Sequence, residues 1–368
     1  MEKRTKVLFI HNTLSEYRIQ FFCELAKRVE LTLVITDSSL ASKIYNLETE
    51  LPREFDIIKI NSPKQIKQII GGDFWDIVLL PPLDTFYQLK CAFVALKFCK
   101  QKGINTAYWT EKWEAPIHLQ PIKKMLKNKL QSSFIGYIAR HVDLCIAAGS
   151  KSHDYFLKQG VPLTKIHMAY DSSTSPVPFE HIDIRKKYNV PSNHKLILFF
   201  SRVVRRKGCD LLVQAFEKLN LPNTTLLICG EGEDLQMIKT IVDENFIKNV
   251  TFCGKVQPNV RADYFEQSNV FVLPSYSLDG VIEAWGLTCN EALEQGTTVV
   301  ATTAVGAAHD LADGKCCIMV QENNIDALAW GIKQAILSGN LNVQCKELYE
   351  RFSISNMAES FSNAFKSC

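Results

Sequence analysis

The chain has 368 residues, 46% hydrophobic and 22% charged, with a formal net charge of +3. That is enough apolar material for two cores, and no apolar run approaches the roughly 18 residues of a membrane-spanning helix. No nucleic-acid partner is expected.

From the N-terminus, Met1-Glu2-Lys3-Arg4-Thr5-Lys6 leads straight into the apolar residues 7–10, which read as a strand and not as a signal peptide. The loop after it, residues 11–18, contains no glycine. Further strand-like runs at 31–36, 77–80, 106–109 and 144–147 alternate with helical patterns, which argues for parallel sheets with crossover helices. Residues 120–140 carry Lys123, Lys124, Lys127, Lys129 and Arg140 with no acidic residue, and Ile122, Met125, Leu126, Leu130, Phe134 and Ile138 recur near helical spacing. Such a helix can lie on an anionic membrane surface, or pack on a core and leave a solvated basic face. Residues 1–170 hold 24 Lys and Arg against 16 Asp and Glu, net +8, and the remainder is net −5. The segment 171–178, polar and proline-containing, reads as a hinge. The 12 cysteines form no CxxC pair and are expected as buried apolar side chains in a reducing cytosol.

Beyond the hinge, residues 196–200 read as a buried strand followed by Ser201-Arg202-Val203-Val204-Arg205-Arg206-Lys207-Gly208, four cations after a strand end. Arginine grips phosphate oxygens with a planar fork and lysine as a point charge, so this loop suits a diphosphate. Residues 210–219 continue as an amphipathic helix. In Glu283-Ala284-Trp285-Gly286-Leu287-Thr288-Cys289-Asn290-Glu291, one carboxylate precedes a helix and the other lies about a turn inside it; Gly296 stops that helix and 297–302 is a strand. Amides around Gly286, Leu287 and Thr288 would favour an anion. At roughly 1.5 Å per helical residue the carboxylates stand about 10 Å apart, one on each side of that anion, where a nucleotide-sugar has hydroxyls. Two solvated surface glutamates would show the same spacing.

With Leu227-Ile228-Cys229-Gly230-Glu231-Gly232-Glu233-Asp234, Val250-Thr251-Phe252-Cys253-Gly254-Lys255-Val256 and Val270-Phe271-Val272-Leu273-Pro274-Ser275, these motifs resemble, in order, the retaining GT-B glycosyltransferases of family GT4 across about residues 196–312. The resemblance implies an α/β GT-B architecture, two Rossmann-like parallel-sheet domains facing a central cleft. Residues 1–174 would bind the acceptor, 175–352 would bind the nucleotide-sugar, and 353–368 would be a helix returning to the first domain. By the same resemblance Glu283 contacts the donor sugar, Glu291 the ribose, Arg202 and Lys207 the diphosphate, backbone at Lys255 and Val256 the base, and amides near Gly286 and Leu287 the phosphates. Relatives often carry glycines in the first loop, absent here; Tyr17-Arg18 followed by Phe21-Phe22 is similar to a subgroup acting on polysaccharide or lipid-linked glycans, which makes Asn12 and Arg18 candidates. Relatives also often carry a histidine after the fourth strand; Glu111, at the strand's carboxyl end, or His118 would take its place.

The implied activity is transfer, with retention, of a hexose or hexosamine from a nucleotide-diphosphate sugar to a glycan or lipid-linked saccharide, in polysaccharide biosynthesis. A nucleotide-sugar epimerase or phosphorylase on the same fold, or a non-catalytic nucleotide-sugar-binding subunit, are the alternatives. No Asp-x-Asp motif stands at a strand end, so the expectation is a metal-independent enzyme without cofactor, in which Arg202, Lys207 and helix amides meet the leaving group. Its place would be the cytoplasm, peripherally at the membrane if residues 120–140 dock there.

Overall fold

The computed structural model describes residues 4–36, 53–115, 121–175 and 181–368. It divides into two compact units, one of Met1–Trp113, Ile122–Ser173 and Ser353–Cys368, the other of Glu114–Pro121 and Thr174–Phe352.

The first unit is built on a parallel sheet of β1 (Lys6–His11), β2 (Glu30–Ile35), β3 (Asp56–Lys59), β4 (Ile77–Leu80), β5 (Asn105–Thr110), β6 (Leu144–Ala147) and β7 (Ile166–Met168), in the order β3-β2-β1-β4-β5-β6-β7. Successive side chains of a strand point to opposite faces, so Val7 and Phe9 enter one core while Leu8 and Ile10 enter the other. Helices cover both faces, which is why the central strands are apolar throughout. On the Val7 and Phe9 face lies the last helix, Ile354–Lys366, whose Phe361 stacks on Phe9 at 6.2 Å and packs at 5.0 Å from Phe21. The strand order reverses between β1 and β4, the topological switch point where open α/β sheets bind ligands.

The second unit has β8 (Lys195–Phe200), β9 (Thr224–Cys229), β10 (Val250–Gly254), β11 (Val270–Leu273), β12 (Thr298–Thr302) and β13 (Cys317–Val320), parallel, in the order β10-β9-β8-β11-β12-β13. Its switch point falls between β8 and β11. The helix Cys209–Leu219 buries Leu212, Val213, Ala215 and Phe216 against the sheet.

The division between the units, at Ser173 and Thr174, falls within the segment read as a hinge, whose first residues Asp171, Ser172 and Ser173 are wholly buried, with Asp171 neutralising a buried arginine. In the helix Ile122–His141 the core face is formed by Ile135, Ile138 and Ala139, while Ile122, Leu126 and Leu130 point away from it. All cysteines are free thiols and most are buried. No helix among the described residues is long and apolar enough to cross a membrane.

Candidate active site

In the second unit, the chain leaving β8 forms a turn of 3-10 helix, Arg205–Lys207, ended by Gly208 at φ 68°. A Cβ on Gly208 would stand 2.1 Å from the carbonyl oxygen of Pro274, just past β11, so only glycine lets these neighbouring loops touch. Gly230, at φ 139°, does the same after β9, where a Cβ would meet the Ser201 carbonyl oxygen at 1.9 Å. The Arg206 carbonyl accepts from the amide of Tyr276 at 2.9 Å, tying the basic loop to the segment after β11. That segment is also gripped by Glu322, which accepts from the Ser277 amide at 2.5 Å and the Ser277 hydroxyl at 3.1 Å.

The segment then delivers Glu283. Its backbone is pinned by bonds from its amide to Ala304 O, 3.1 Å, and to its carbonyl from the Gly306 amide, 3.0 Å. One carboxylate oxygen accepts from Lys207 Nζ at 2.5 Å and from Arg206 Nη1 at 2.9 Å. Burial pushes the Glu283 pKa up, but Lys207 and Arg206 outweigh it and hold the carboxyl below its ordinary range. Burial lowers the Lys207 amine, Glu283 partly restores it, and the Arg206 and Arg202 charges depress it again. Lys207 is thus a buried ammonium among like charges at the carboxyl end of β8, with one carboxylate to balance it. Arg202 is exposed and forms no ion pair among the described residues.

Gly286, at φ 104°, lies beside Glu283, whose Cγ would be 3.6 Å from a Cβ there. The helix that follows, Thr288–Glu294, has Leu287 as its N-cap and only 7 residues. Glu291 is buried on it and accepts from Arg261 Nη2 at 2.8 Å. Burial, and then the charge of Glu283, push the Cys289 thiol up, so it stays protonated. Lys255, exposed, and Val256, half-buried, follow the end of edge strand β10. The structure therefore gathers Glu283, Lys207, Arg202 and Gly286 closely, sets Glu291 and Thr288 on the adjoining helix, and leaves Lys255 and Val256 at the sheet edge.

In the first unit Arg18 is buried and reaches Asp171 with both guanidinium nitrogens, Nη2 to Oδ2 at 2.8 Å and Nη1 to Oδ1; Nη2 also donates to Glu111. Its guanidinium lies 4.7 Å from the centre of the Trp109 ring, on which His11 stacks at 6.0 Å. Burial, then Arg18, lower His11 to about 3, so it is neutral at physiological pH. Glu111, 31% exposed, is pushed up to about 8 by burial and by Asp171, against the pull of Arg18. Asn12, half-buried, accepts from the Thr13 amide at 2.8 Å. Asn12 and Glu111 thus follow the carboxyl ends of β1 and β5, and Arg18, on the helix Glu16–Ala26 after β1, reaches Glu111; His118 lies outside the described residues.

Sequence reasoning did not single out Arg206, Arg261, Asp171 or His11. Arg206 was one of four adjacent cations with nothing to mark which would meet Glu283, and Asp171 was absorbed into a segment read by composition.

The family described as glycosyl transferases group 1 has a model that matches residues 180–351. An uncharacterized glycosyltransferase of Methanocaldococcus jannaschii is 28% identical over 194 residues, 51% of this chain and 48% of that protein. D-inositol 3-phosphate glycosyltransferase of Xylanimonas cellulosilytica is 26% identical over 263 residues, 62% of this chain and 61% of that one. The chain thus spans about half to three fifths of the length of these curated relatives. Among solved structures, Anabaena HepE in complex with UDP superposes with a TM-score of 0.76 at 15% identity, covering 99% of this chain and 100% of that one. Sucrose-phosphate synthase of Thermosynechococcus elongatus does so with 0.73 at 18%, covering 99% of each. These likenesses coincide with two parallel α/β sheets whose second unit carries the charged cluster at its switch point: residues 180–351 match the glycosyl transferases group 1, and the fold is that of the GT-B structures.

Proposed function

We propose that the protein is a retaining glycosyltransferase that moves a hexose or hexosamine from a nucleotide-diphosphate sugar to a glycan or lipid-linked saccharide. The observation that carries this reading is the trio Lys207, Arg206 and Glu283 at the β8/β11 switch point. A diphosphate brought there would meet a buried ammonium and two or three guanidinium groups in a low-dielectric setting, where fixed charges act most strongly.

The reaction breaks the bond between the anomeric carbon and the diphosphate oxygen, which keeps the electron pair. Lys207 and Arg202 balance the charge that develops on it. The acceptor hydroxyl oxygen then bonds to the anomeric carbon on the face just vacated, and its proton passes to the departing phosphate. Glu283, held by two cations through one oxygen, is suited to orient sugar hydroxyls with the other, and the two positive charges that lower its basicity make it a poor nucleophile toward carbon. Glu291 on the adjoining helix would hold the ribose hydroxyls, with Lys255 and Val256 at the base. In this scheme the cations do what a metal does elsewhere, and the reaction is metal-independent. In unit one, Glu111, Arg18 and Asn12 would face the acceptor side.

The test is transfer from a UDP-sugar, the donor class suggested by the UDP found with HepE, to a saccharide acceptor panel in EDTA. Transfer with retained anomeric configuration supports the reading. A strict requirement for Mg²⁺ or Mn²⁺, restored on adding it back, would show the leaving-group chemistry to be misassigned.

A further inference from the structure

A helix on a globular domain ordinarily turns one apolar stripe to the core and a polar face to water. The helix Ile122–His141 has two apolar stripes. Ile135, Ile138 and Ala139 fill the core. On the far side Ile122, Leu126, Leu130 and Phe134, spaced i, i+4, i+8 and i+12, form a continuous row with exposures of 74%, 59%, 61% and 38%. Residues four apart lie above one another on a helix, so these four make one ridge.

The neighbouring helix, Phe86–Lys102, extends it. Gln131 Nε2 donates to Leu83 O at 2.9 Å, and Phe93 packs edge-on against Phe134 at 6.5 Å and beside Tyr137 at 5.6 Å. These contacts bring the start of that helix alongside the ridge, where Phe86 is 72% exposed with Lys90 Nζ 4.6 Å from its ring centre. Neither helix contains an Asp or Glu, and Lys90, Lys97, Lys123 and Lys129 are exposed on them.

We propose that this two-helix face docks on an anionic lipid surface, with Phe86, Ile122, Leu126 and Leu130 entering the headgroup layer and the surrounding lysines meeting lipid phosphates. A contiguous exposed apolar ridge marks an interaction surface. Its charge decides the partner. A second copy of this chain would bring lysine against lysine, whereas an anionic leaflet attracts each of them and accepts a convex apolar ridge. The inference stands on unit one alone and does not depend on the transferase reading.

The experiment is sedimentation of the full chain with vesicles of phosphatidylcholine, with and without phosphatidylglycerol. The chain should sediment with the mixed vesicles at low salt and release at high salt, because the lysine contribution, roughly fivefold in affinity per lysine, is screened within about 8 Å. Leu126→Gln with Leu130→Gln should weaken binding about tenfold or more, since each buried leucine adds apolar transfer energy. Lys123→Glu with Lys129→Glu should do the same. All four positions are exposed, so melting temperature should hold in both variants. Leu130→Trp keeps the ridge apolar and should add fluorescence quenchable by brominated lipid chains. No sedimentation with mixed vesicles at low salt, no added quenching at position 130, or a dimer that the leucine variant dissociates would each overturn the proposal.

Discussion

Lys207 sits where its charge is least comfortable, buried and beside two guanidinium groups, and Glu283 is the carboxylate that keeps it protonated. In the proposed mechanism, removing Glu283 therefore acts on Lys207 as well as on the sugar. Glu283→Gln should lower turnover by about 10², the loss expected for one preorganised contact, and should also move the alkaline limb of the pH–rate profile to lower pH. An unshifted alkaline limb would mean that Lys207 is not the group titrating there. Lys207→Ala and Arg202→Ala should each impair transfer severely, since a charge-assisted hydrogen bond contributes roughly 1.5–3 kcal/mol. Glu291→Ala should weaken nucleotide binding more than turnover; equal effects of both glutamate changes on free-nucleotide affinity would refute the division of roles. In the first unit, Glu111 binds its proton more tightly when folded. Its contribution to stability is complete below about 4.5 and is lost as pH rises through about 8. Glu111→Gln should flatten that decline, read as melting temperature against pH.

At the scale of elements, the site depends on loops that approach as bare backbone. Gly208→Ala combines an unfavourable φ of 68° with a contact of 2.1 Å to the Pro274 carbonyl, and Gly230→Ala is worse placed at 1.9 Å from Ser201. Each should cost about 2 kcal/mol or more in stability, measured by denaturant unfolding. Strands were legible in the sequence where both faces are buried, since residues 77–80 and 144–147 are then unbroken apolar runs. The edge strands β3, Asp-Ile-Ile-Lys, and β7, Ile-His-Met, were not, because half-buried edges mix polar and apolar residues. The same limit applies to contacts. The Lys207 and Glu283 motifs could be read singly, but their meeting across 76 positions is a product of strand order. The grip of Asp171 on Arg18 spans 153 and left no local trace.

The whole molecule has separate cores in its two units, so ligand and truncation should act on them separately. A panel of UDP-, GDP- and ADP-sugars should stabilise the second unit by about 2.7 kcal/mol at 100 times the dissociation constant, seen as an upward shift of one calorimetric transition. Which nucleotide does so identifies the donor. Deleting residues 353–368 removes Met357, Phe361 and Phe365 from the core around Phe9 and Phe21. That truncation should unfold or severely weaken the first unit while nucleotide still binds the second. Loss of nucleotide binding together with the first unit would show the two cores to be one cooperative system.

The return of that last helix also orders events on the ribosome. The first unit has all its strands by Met168, yet the aromatic face around Phe9, Phe21 and Trp109 waits for Phe361, which is made after the whole of Thr174–Phe352. At about 5–20 residues per second, the intervening stretch takes on the order of ten to forty seconds to emerge. The second unit, made of Glu114–Pro121 and Thr174–Phe352, can finish first although most of it is encoded later. A nascent chain halted before Ser353 should thus carry a complete second unit while the aromatic surface of the first stays uncovered, a ready client for a chaperone.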